Sequence, residues 1–163
     1  MTGALGRGTL RLGGGLLTSS APATVFNNVI LQAGTTTNIS SAVANLTLAG
    51  NISGSGNINE TGTNTGGTHF NGDNRGFTRT VTSGNAGGHR VRFKSPNAGS
   101  AAATWVLNNL QADGNGLNYG PGTISFGALS GGGVFRNNAI ARSTISIGAL
   151  NTDTTFSGVM IAN

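Results

Sequence analysis

GTISFGALSGGG, residues 122–133, and STISIGALNTDT, residues 143–154, follow one pattern at an offset of 21 residues. Their apolar positions correspond one for one: Ile124, Phe126 and Leu129 in the first stretch, and Ile145, Ile147 and Leu150 in the second. Apolar residues two positions apart lie on the same face of a β-strand. A repeat of this length is about one coil of a β-solenoid, in which successive coils stack roughly 4.8 Å apart. The pair therefore predicts an all-β fold, a parallel β-helix.

The same form, a short apolar strand followed by glycine, occurs upstream in GTLRLGG (8–14) and NLTLAGNISGSG (45–56). We expect their inward pairs to be equivalent to those of the downstream stretches: Leu10 with Leu12, and Leu46 with Leu48. Glycine and asparagine between such pairs suit sharp corners, because both tolerate a positive φ. At roughly 21–25 residues per coil, the 163-residue chain predicts about seven coils.

Period-2 alternation and turn residues predict eleven strands. Their ranges are 8–12, 24–32, 45–49, 68–70, 77–82, 89–94, 103–108, 122–126, 133–136, 143–147 and 154–161. The predicted inward residues are Leu10, Leu12, Leu46, Leu48, Val91, Phe93, Trp105, Leu107, Ile124, Phe126, Ile145 and Ile147.

The composition favours turns and short strands over helices. Glycine occurs 29 times, threonine 21, asparagine 20 and serine 14, which together make about half of the chain. No run shows the apolar recurrence at i, i+3, i+4 and i+7 that an amphipathic helix requires. Two alternatives to a solenoid stay open: a β-sandwich or barrel, which also has many short strands, and a largely disordered chain rich in glycine and polar residues.

Residues 45–163 also resemble a known family. NGDNRGFTRTVTSGNAGGHRVRFKSPNAGSAAATWVLNN, then GTISFGALSGGGVF and STISIGALNTDTTFSGVM, resemble the autotransporter-associated β-strand repeat, and GRGTLRLGGG resembles its opening strand. The match over 1–44 is weaker, and Arg79 stands where the family commonly has glycine. The resemblance implies a right-handed parallel β-helix in a large, secreted bacterial surface protein, often without a known catalytic activity.

The charge of the chain is sparse and concentrated. Nine Lys and Arg against four acids give a net charge of +5. Five of the cations lie within residues 75–94, and these are the candidate contacts for an acidic ligand or a neighbouring subunit: Arg75, Arg79, Arg90, Arg92 and Lys94.

In GGHRVRFKSPNAG, residues 87–99, Arg90, Arg92 and Lys94 share one parity, while His89, Val91 and Phe93 share the other. This alternation predicts a strand with a solvated cationic face. An acidic polysaccharide or an acidic neighbouring subunit is the candidate partner of that face. Nucleic acid is not expected, because Val91 and Phe93 point away from the cations and cannot stack bases beside them.

The sequence predicts no enzyme. The acids are Glu60, Asp73, Asp113 and Asp153. The 40-residue spacings of Asp73, Asp113 and Asp153 correspond to nearly two coils, which would bring these carboxylates onto one face. Aspartate in such glycine- and threonine-rich contexts is more typical of a corner, however, so no catalytic residue is assigned.

No cofactor-binding or metal-binding residue is assigned either. The 20-residue spacing of His69 and His89 would place these two imidazoles on neighbouring coils. A transition-metal site needs a third ligand, and the chain contains no cysteine to supply a thiolate.

The chain is interpreted as one β-solenoid segment, 1–163, of a longer repeat protein or of a fibre subunit. It has no evident signal peptide and no apolar stretch of the roughly 18 residues that a membrane span needs, so this segment is not expected to insert into a membrane. Either flanking repeats of the same parent chain or copies of itself stacked end to end are the expected partners. The expected location is extracellular or at the bacterial cell surface.

The two ends carry the candidate assembly residues: Leu10, Leu12, Val159, Met160 and Ile161. An open solenoid end exposes unpaired backbone groups and a slice of apolar core, which recruits further strands. The expected function is structural, as a surface stalk, a passenger segment or a subunit of a head-to-tail extracellular filament. The alternative is a carbohydrate-binding or polysaccharide-processing β-helix protein.

Overall fold

A computed structural model of the chain describes residues 5–41, 45–63, 66–84, 90–108, 111–113, 122–137 and 144–162. Within these residues the regular structure is a series of short strands and one 3₁₀ turn, Pro96–Ala98. The strands are β1 (Leu10–Leu12), β2 (Gly15–Ser19), β3 (Ala23–Val25), β4 (Val29–Leu31), β5 (Thr36–Ser41), β6 (Leu46–Leu48), β7 (Ile52–Gly54), β8 (Asn57–Glu60), β9 (Thr68–Phe70), β10 (Thr80–Ser83), β11 (Arg90–Phe93), β12 (Ser100–Leu107), β13 (Gln111–Asp113), β14 (Thr123–Ser130), β15 (Val134–Asn137), β16 (Thr144–Ile147) and β17 (Val159–Ala162).

These strands form three parallel sheets that the chain visits in turn. Sheet A has the order β1-β4-β7, sheet B the order β16-β14-β12-β10-β8-β5-β2, and sheet C the order β17-β15-β13-β11-β9-β6-β3. Each strand thus pairs with the equivalent strand of the next coil, not with its neighbour in sequence. The described part of the chain is therefore an all-β, parallel β-solenoid. A β-sandwich of antiparallel hairpins and a disordered chain are both excluded for these residues.

The 21-residue repeat of the sequence is the register of two stacked strands. Ile124 pairs with Ile145, and Phe126 pairs with Ile147, between β14 and β16. The offset differs elsewhere: Leu10 pairs with Val29 after 19 residues, and Phe135 pairs with Met160 after 25. The coils differ in length mainly because the segments that join the strands differ in length. Between β12 and β14 the register also shifts, at 100–104.

The four strand-glycine stretches are not all equivalent, contrary to the prediction. Leu10 and Leu12 lie in sheet A, and Leu46 and Leu48 lie in sheet C. The two downstream stretches enter sheet B through β14 and β16. An apolar pair followed by glycine marks the end of a strand on any side of a solenoid, so this pattern does not distinguish one sheet from another.

Each of the eleven predicted strand ranges contains observed strand residues, although 24–32 consists of two strands separated at 26–28. Five strands were missed in the described residues: β2, β5, β7, β8 and β13. In β5 and β8 the cause is clear, because inward positions are occupied by Thr37, Ser41 and Glu60, which are buried but polar. Such strands show little alternation of apolar and polar residues, which is the pattern on which the strand prediction depended.

Aromatic rings fill the centre of the core. Phe93 lies in the middle of this cluster, stacked with Phe70 at a centroid distance of 6.2 Å and with Phe135 at 6.3 Å. Its edge contacts are Trp105 at 5.0 Å and Phe126 at 5.1 Å. Rings from sheets B and C therefore interlock across successive coils, which adds to the stabilisation from apolar burial.

Most predicted inward residues are buried or partly buried, but Ile147 is not. It is 43% exposed, while its register partner Phe126 is fully buried. Leu10, Leu12 and Ile145 are partly buried against the core. Ile147 belongs to β16, the outermost strand of sheet B in the described residues, so no further described coil covers it.

Two corners require glycine because successive coils approach closely there. A Cβ atom on Gly50 would overlap the carbonyl oxygen of Asn27, and one on Gly72 would overlap the carbonyl oxygen of Gly50. Both obstacles are backbone atoms of the preceding coil, which cannot move without disturbing the stack. Gly8, in contrast, has open space around the position of a Cβ.

We predict that Gly72→Ala destabilises the protein by about 1–3 kcal/mol, the usual range for overpacking in a closely packed structure. Urea unfolding followed by circular dichroism measures this change. Gly8→Ala is the matched control and should leave the unfolding free energy nearly unchanged. Equal effects of the two substitutions would contradict the close approach at Gly72.

Candidate functional site

A groove with a cavity volume of about 640 Å³ lies on the outer face of sheet A. Its polar lining consists of Thr9, Asn28, Asn51, Ser53, Asp73 and Arg75, and Ile30 lies among them. Ile30 and Ser53 are register partners in β4 and β7, with side chains that point outward between inward neighbours. The groove therefore runs across successive coils.

Asparagine side chains connect the coils along this groove. Asn28 Oδ1 accepts a hydrogen bond from the backbone N–H of Asn51 at 3.0 Å, and Asn51 Oδ1 accepts one from Asp73 at 3.0 Å. Both oxygens are thereby fixed by the next coil. Because a carboxamide is planar, its NH₂ group is held in place together with its oxygen.

An ion pair continues this row. Arg75 Nη2 lies 2.6 Å from Asp73 Oδ2, and Arg75 Nε donates to Asp73 Oδ1 at 3.0 Å. The side-chain hydrogen bonds from Arg75 lower the pKa of Asp73, an effect that partial desolvation of the carboxyl opposes. The same contacts raise the pKa of Arg75. The carboxylate is therefore ionised at neutral pH and its two oxygens are oriented by a bidentate partner.

A buried asparagine fixes the loop that carries this pair. Asn74 Oδ1 accepts a hydrogen bond from the backbone N–H of Ile52 at 3.0 Å, and Asn74 Nδ2 donates to the carbonyl of Ala98 at 2.9 Å. Asn74 is thus bonded to the coils on both sides of its own and is only 2% exposed. The positions of Asp73 and Arg75 beside it are set by this internal anchor.

The structure distributes the five predicted cationic residues over different sides of the solenoid. Arg75 lines the groove on sheet A, and Arg79 is exposed just before β10 of sheet B. Arg90 and Arg92 lie half-buried in β11 of sheet C, and Lys94 follows that strand. The run of cations in the sequence therefore does not form one continuous patch.

The predicted parity of the basic strand is confirmed. Val91 and Phe93 are fully buried, whereas Arg90 and Arg92 face outward from sheet C. His89 lies outside the described residues, so the predicted pairing of two histidines has no structural description.

The register of sheet C brings together charged positions of successive coils that the sequence analysis did not connect. Arg92 is in register with Asp113, and Asp113 with Arg136. On the other side Arg92 pairs with His69, and Arg92 Nη1 lies 3.3 Å from His69 Nε2. The 44-residue interval between Arg92 and Arg136, which equals two coils here, was a signal in the sequence that could have connected them.

The expected alignment of Asp73, Asp113 and Asp153 is wrong. Asp113 lies in sheet C, where the residue two coils before it in register is His69. Asp73 lies in the groove on sheet A, and Asp153 is exposed between β16 and β17. The spacing of 40 residues was close to two coils but not equal to them, which places these residues at different points of the coil.

The fourth acid, Glu60, is buried in β8 and is 2% exposed. Thr68 Oγ1 donates a hydrogen bond to Glu60 Oε1. A carboxyl group in this position pairs with neighbouring polar groups of the core and does not face solvent. In the described segments, no three side chains of histidine, aspartate or glutamate come together in a way that could hold a metal ion.

The predicted assembly residues divide into two groups. Inward side chains of successive coils stack into columns along the axis. Met160 follows its register partner Phe135 in one such column, and it is 52% exposed. Val159 and Ile161 instead continue outward columns, the latter in register with Arg136. Of the three predicted assembly residues in β17, only Met160 thus belongs to the core layer at this end.

At the other end, Leu10 and Leu12 are partly buried against the core from sheet A. They begin inward columns through Val29 and Leu31 of β4. Among the described residues sheet A has three strands, and beyond them Gly54 of β7 forms an isolated parallel bridge with Phe77.

Comparison with known proteins gives no match among family models, curated proteins or solved structures. Within the described residues, no helix has the length and apolar character needed to cross a bilayer.

We predict that the carboxyl group of Asp73 titrates below its ordinary pKa of 3.8. An NMR titration of the carboxyl carbon measures this. Because the pKa of Asp73 is lower in the folded than in the unfolded chain, the ion pair stabilises the fold at pH values above 3.8. This stabilisation is lost as the pH falls through the pKa of the folded state. Arg75→Met should raise the pKa of Asp73. Arg136→Met, which removes a cation from sheet C, should leave it unchanged.

Proposed function

We propose that this chain is a structural segment of a right-handed β-solenoid of about seven coils. In this proposal it serves as a stalk, a passenger segment or a filament subunit outside the cell or at a bacterial surface, and it catalyses no reaction. The resemblance of residues 45–163 to the autotransporter-associated β-strand repeat supports the location. Sheets B and C, with seven strands each, support the number of coils. The strong preference of parallel strand connections for one hand supports the right-handed winding.

The observation that carries this proposal is the open, apolar outer layer next to β16 and β17. Each of these strands has a sheet neighbour on one side only among the described residues. Ile147 and Met160, which end core columns, are 43% and 52% exposed. Unpaired strand edges together with exposed core favour the addition of another coil.

The proposed partners are a flanking coil of the same parent chain or a second copy of this chain. A copy would join head to tail, because the two ends of a solenoid are different surfaces. Sheets B and C supply the continuous edges for such a contact, since both reach from the first coil to the last.

We predict that the chain associates with itself as its concentration rises, and that Met160→Glu weakens this association by about tenfold or more. The new carboxylate would end a core column and lose its hydration in the contact. Val159→Glu is the matched control, because it places the same charge on the outer face of the same strand, and it should have a much smaller effect. Sedimentation velocity over a range of concentrations measures both.

A chain that stays monomeric at millimolar concentration would contradict the stacking of copies and leave flanking coils of the parent chain as the cover of this end. Equal effects of the two substitutions would contradict the role of the core column.

A further inference from the structure

We infer that the groove on the outer face of sheet A binds a neutral glycan. Asn28, Asn51, Asp73 and Arg75 supply its polar contacts, and Ile30 supplies an apolar surface. This binding activity goes beyond the structural role proposed above and does not depend on what covers the ends of the solenoid.

The dimensions of the groove suit a short stretch of a sugar chain. Its volume of about 640 Å³ lies within the range of roughly 300–1,000 Å³ that is common for small-molecule sites. The lining residues come from several successive coils, from Thr9 to Arg75. An extended ligand could therefore follow the solenoid axis and meet a similar set of groups at each coil.

The amide groups of the groove are available to a ligand. Asn28 and Asn51 use only their oxygens in the row described above, and neither NH₂ group has a protein acceptor in the described part of the chain. Neighbouring coils are about 4.8 Å apart, so the two donors are presented at a regular interval. Because their oxygens are already fixed, binding would cost little additional side-chain entropy.

Asparagines on sheet B show both uses of the side-chain amide. Asn59 Nδ2 donates to Asn38 Oδ1 at 2.8 Å, so there the amide itself joins two coils. Asn57 Oδ1 instead accepts from the backbone N–H of Thr80, as the oxygens of Asn28 and Asn51 accept on sheet A. What distinguishes Asn28 and Asn51 is that both line one groove together.

The charges in the groove favour a neutral ligand. Asp73 and Arg75 are the two charged residues of the lining, and they offset each other. A carboxylate held by arginine still has lone pairs that accept hydrogen bonds from sugar hydroxyls, and the exposed guanidinium has further N–H donors. Thr9 and Ser53 add hydroxyl groups that act as donor or acceptor. A polyanion would gain no net attraction here.

The test is a titration of the ¹⁵N-labelled 163-residue chain with four neutral hexasaccharides: cellohexaose, maltohexaose, mannohexaose and xylohexaose. Hexagalacturonate serves as the acidic comparison. We expect saturable shifts of the side-chain NH₂ signals of Asn28 and Asn51 with at least one neutral probe. Hexagalacturonate should produce smaller shifts of these signals.

Substitutions then test the assigned contacts. Asn28→Asp combined with Asn51→Asp keeps the oxygens that accept from the backbone and removes both NH₂ donors, so affinity should fall by about tenfold or more. Asn38→Asp is the control: it introduces one such carboxylate in the row on sheet B, keeps the acceptor for Asn59, and should leave affinity unchanged. Arg75→Met, which adds no negative charge beside Asp73, should also weaken binding and serves if the double variant does not fold.

Three results would overturn the inference. The first is the absence of saturable shifts with all four neutral probes. The second is a set of shifts confined to sheet B or sheet C. The third is an equal loss of affinity in the Asn38→Asp control, which would show that the groove residues act only through general stability. Stronger binding of hexagalacturonate at Arg90, Arg92 and Arg136 would assign the ligand site to the cationic face of sheet C instead.

Discussion

Backbone hydrogen bonds between successive coils hold this molecule together and set the position of every other group. In a parallel pair, each strand donates to and accepts from the equivalent strand of the next coil. Once one pair is in register, side chains of the same parity form columns along the axis. The column that contains Val91 continues through Thr68 to Leu46. A shift by one residue would turn all of them outward.

The inward columns combine large rings with small and polar residues, so volume is matched between neighbouring coils. Phe93 is surrounded by four other aromatic rings at centroid distances of 5.0–6.3 Å. Nearby, Glu60 is buried and accepts a hydrogen bond from Thr68. A buried polar group costs free energy unless it is hydrogen-bonded, and here the partner comes from the next strand of the same coil. The same stacking accounts for Gly50 and Gly72, where a side chain would meet the backbone of the preceding coil.

The outward columns give each side of the solenoid its own chemistry. On sheet C, the half-buried Arg92 lies beside His69 of the preceding coil, with Arg92 Nη1 3.3 Å from His69 Nε2. On sheet A, asparagine oxygens accept from the backbone of the next coil and leave NH₂ groups facing the groove. A repeated backbone thus presents ladders of different residues, and a ligand that extends along the axis meets them at regular intervals.

The sequence alone determined the fold class, because strand alternation and the 21-residue repeat of Ile124 and Ile145 are local patterns that survive in the structure as parallel register. It also determined the inward and outward faces of β11, since alternation along one strand does not depend on its neighbours. It did not determine which strands share a sheet. Coils vary in length. An error of a few residues in the assumed length of two coils places a residue in the wrong part of the coil, as it did for Asp73 and Asp113. Only the tertiary structure therefore decided three features. They are the groove on sheet A, the ion pair of Asp73 with Arg75 in it, and the register of Arg136 in sheet C. Each joins residues through stacking between coils, and that stacking depends on the length of every connecting segment between them.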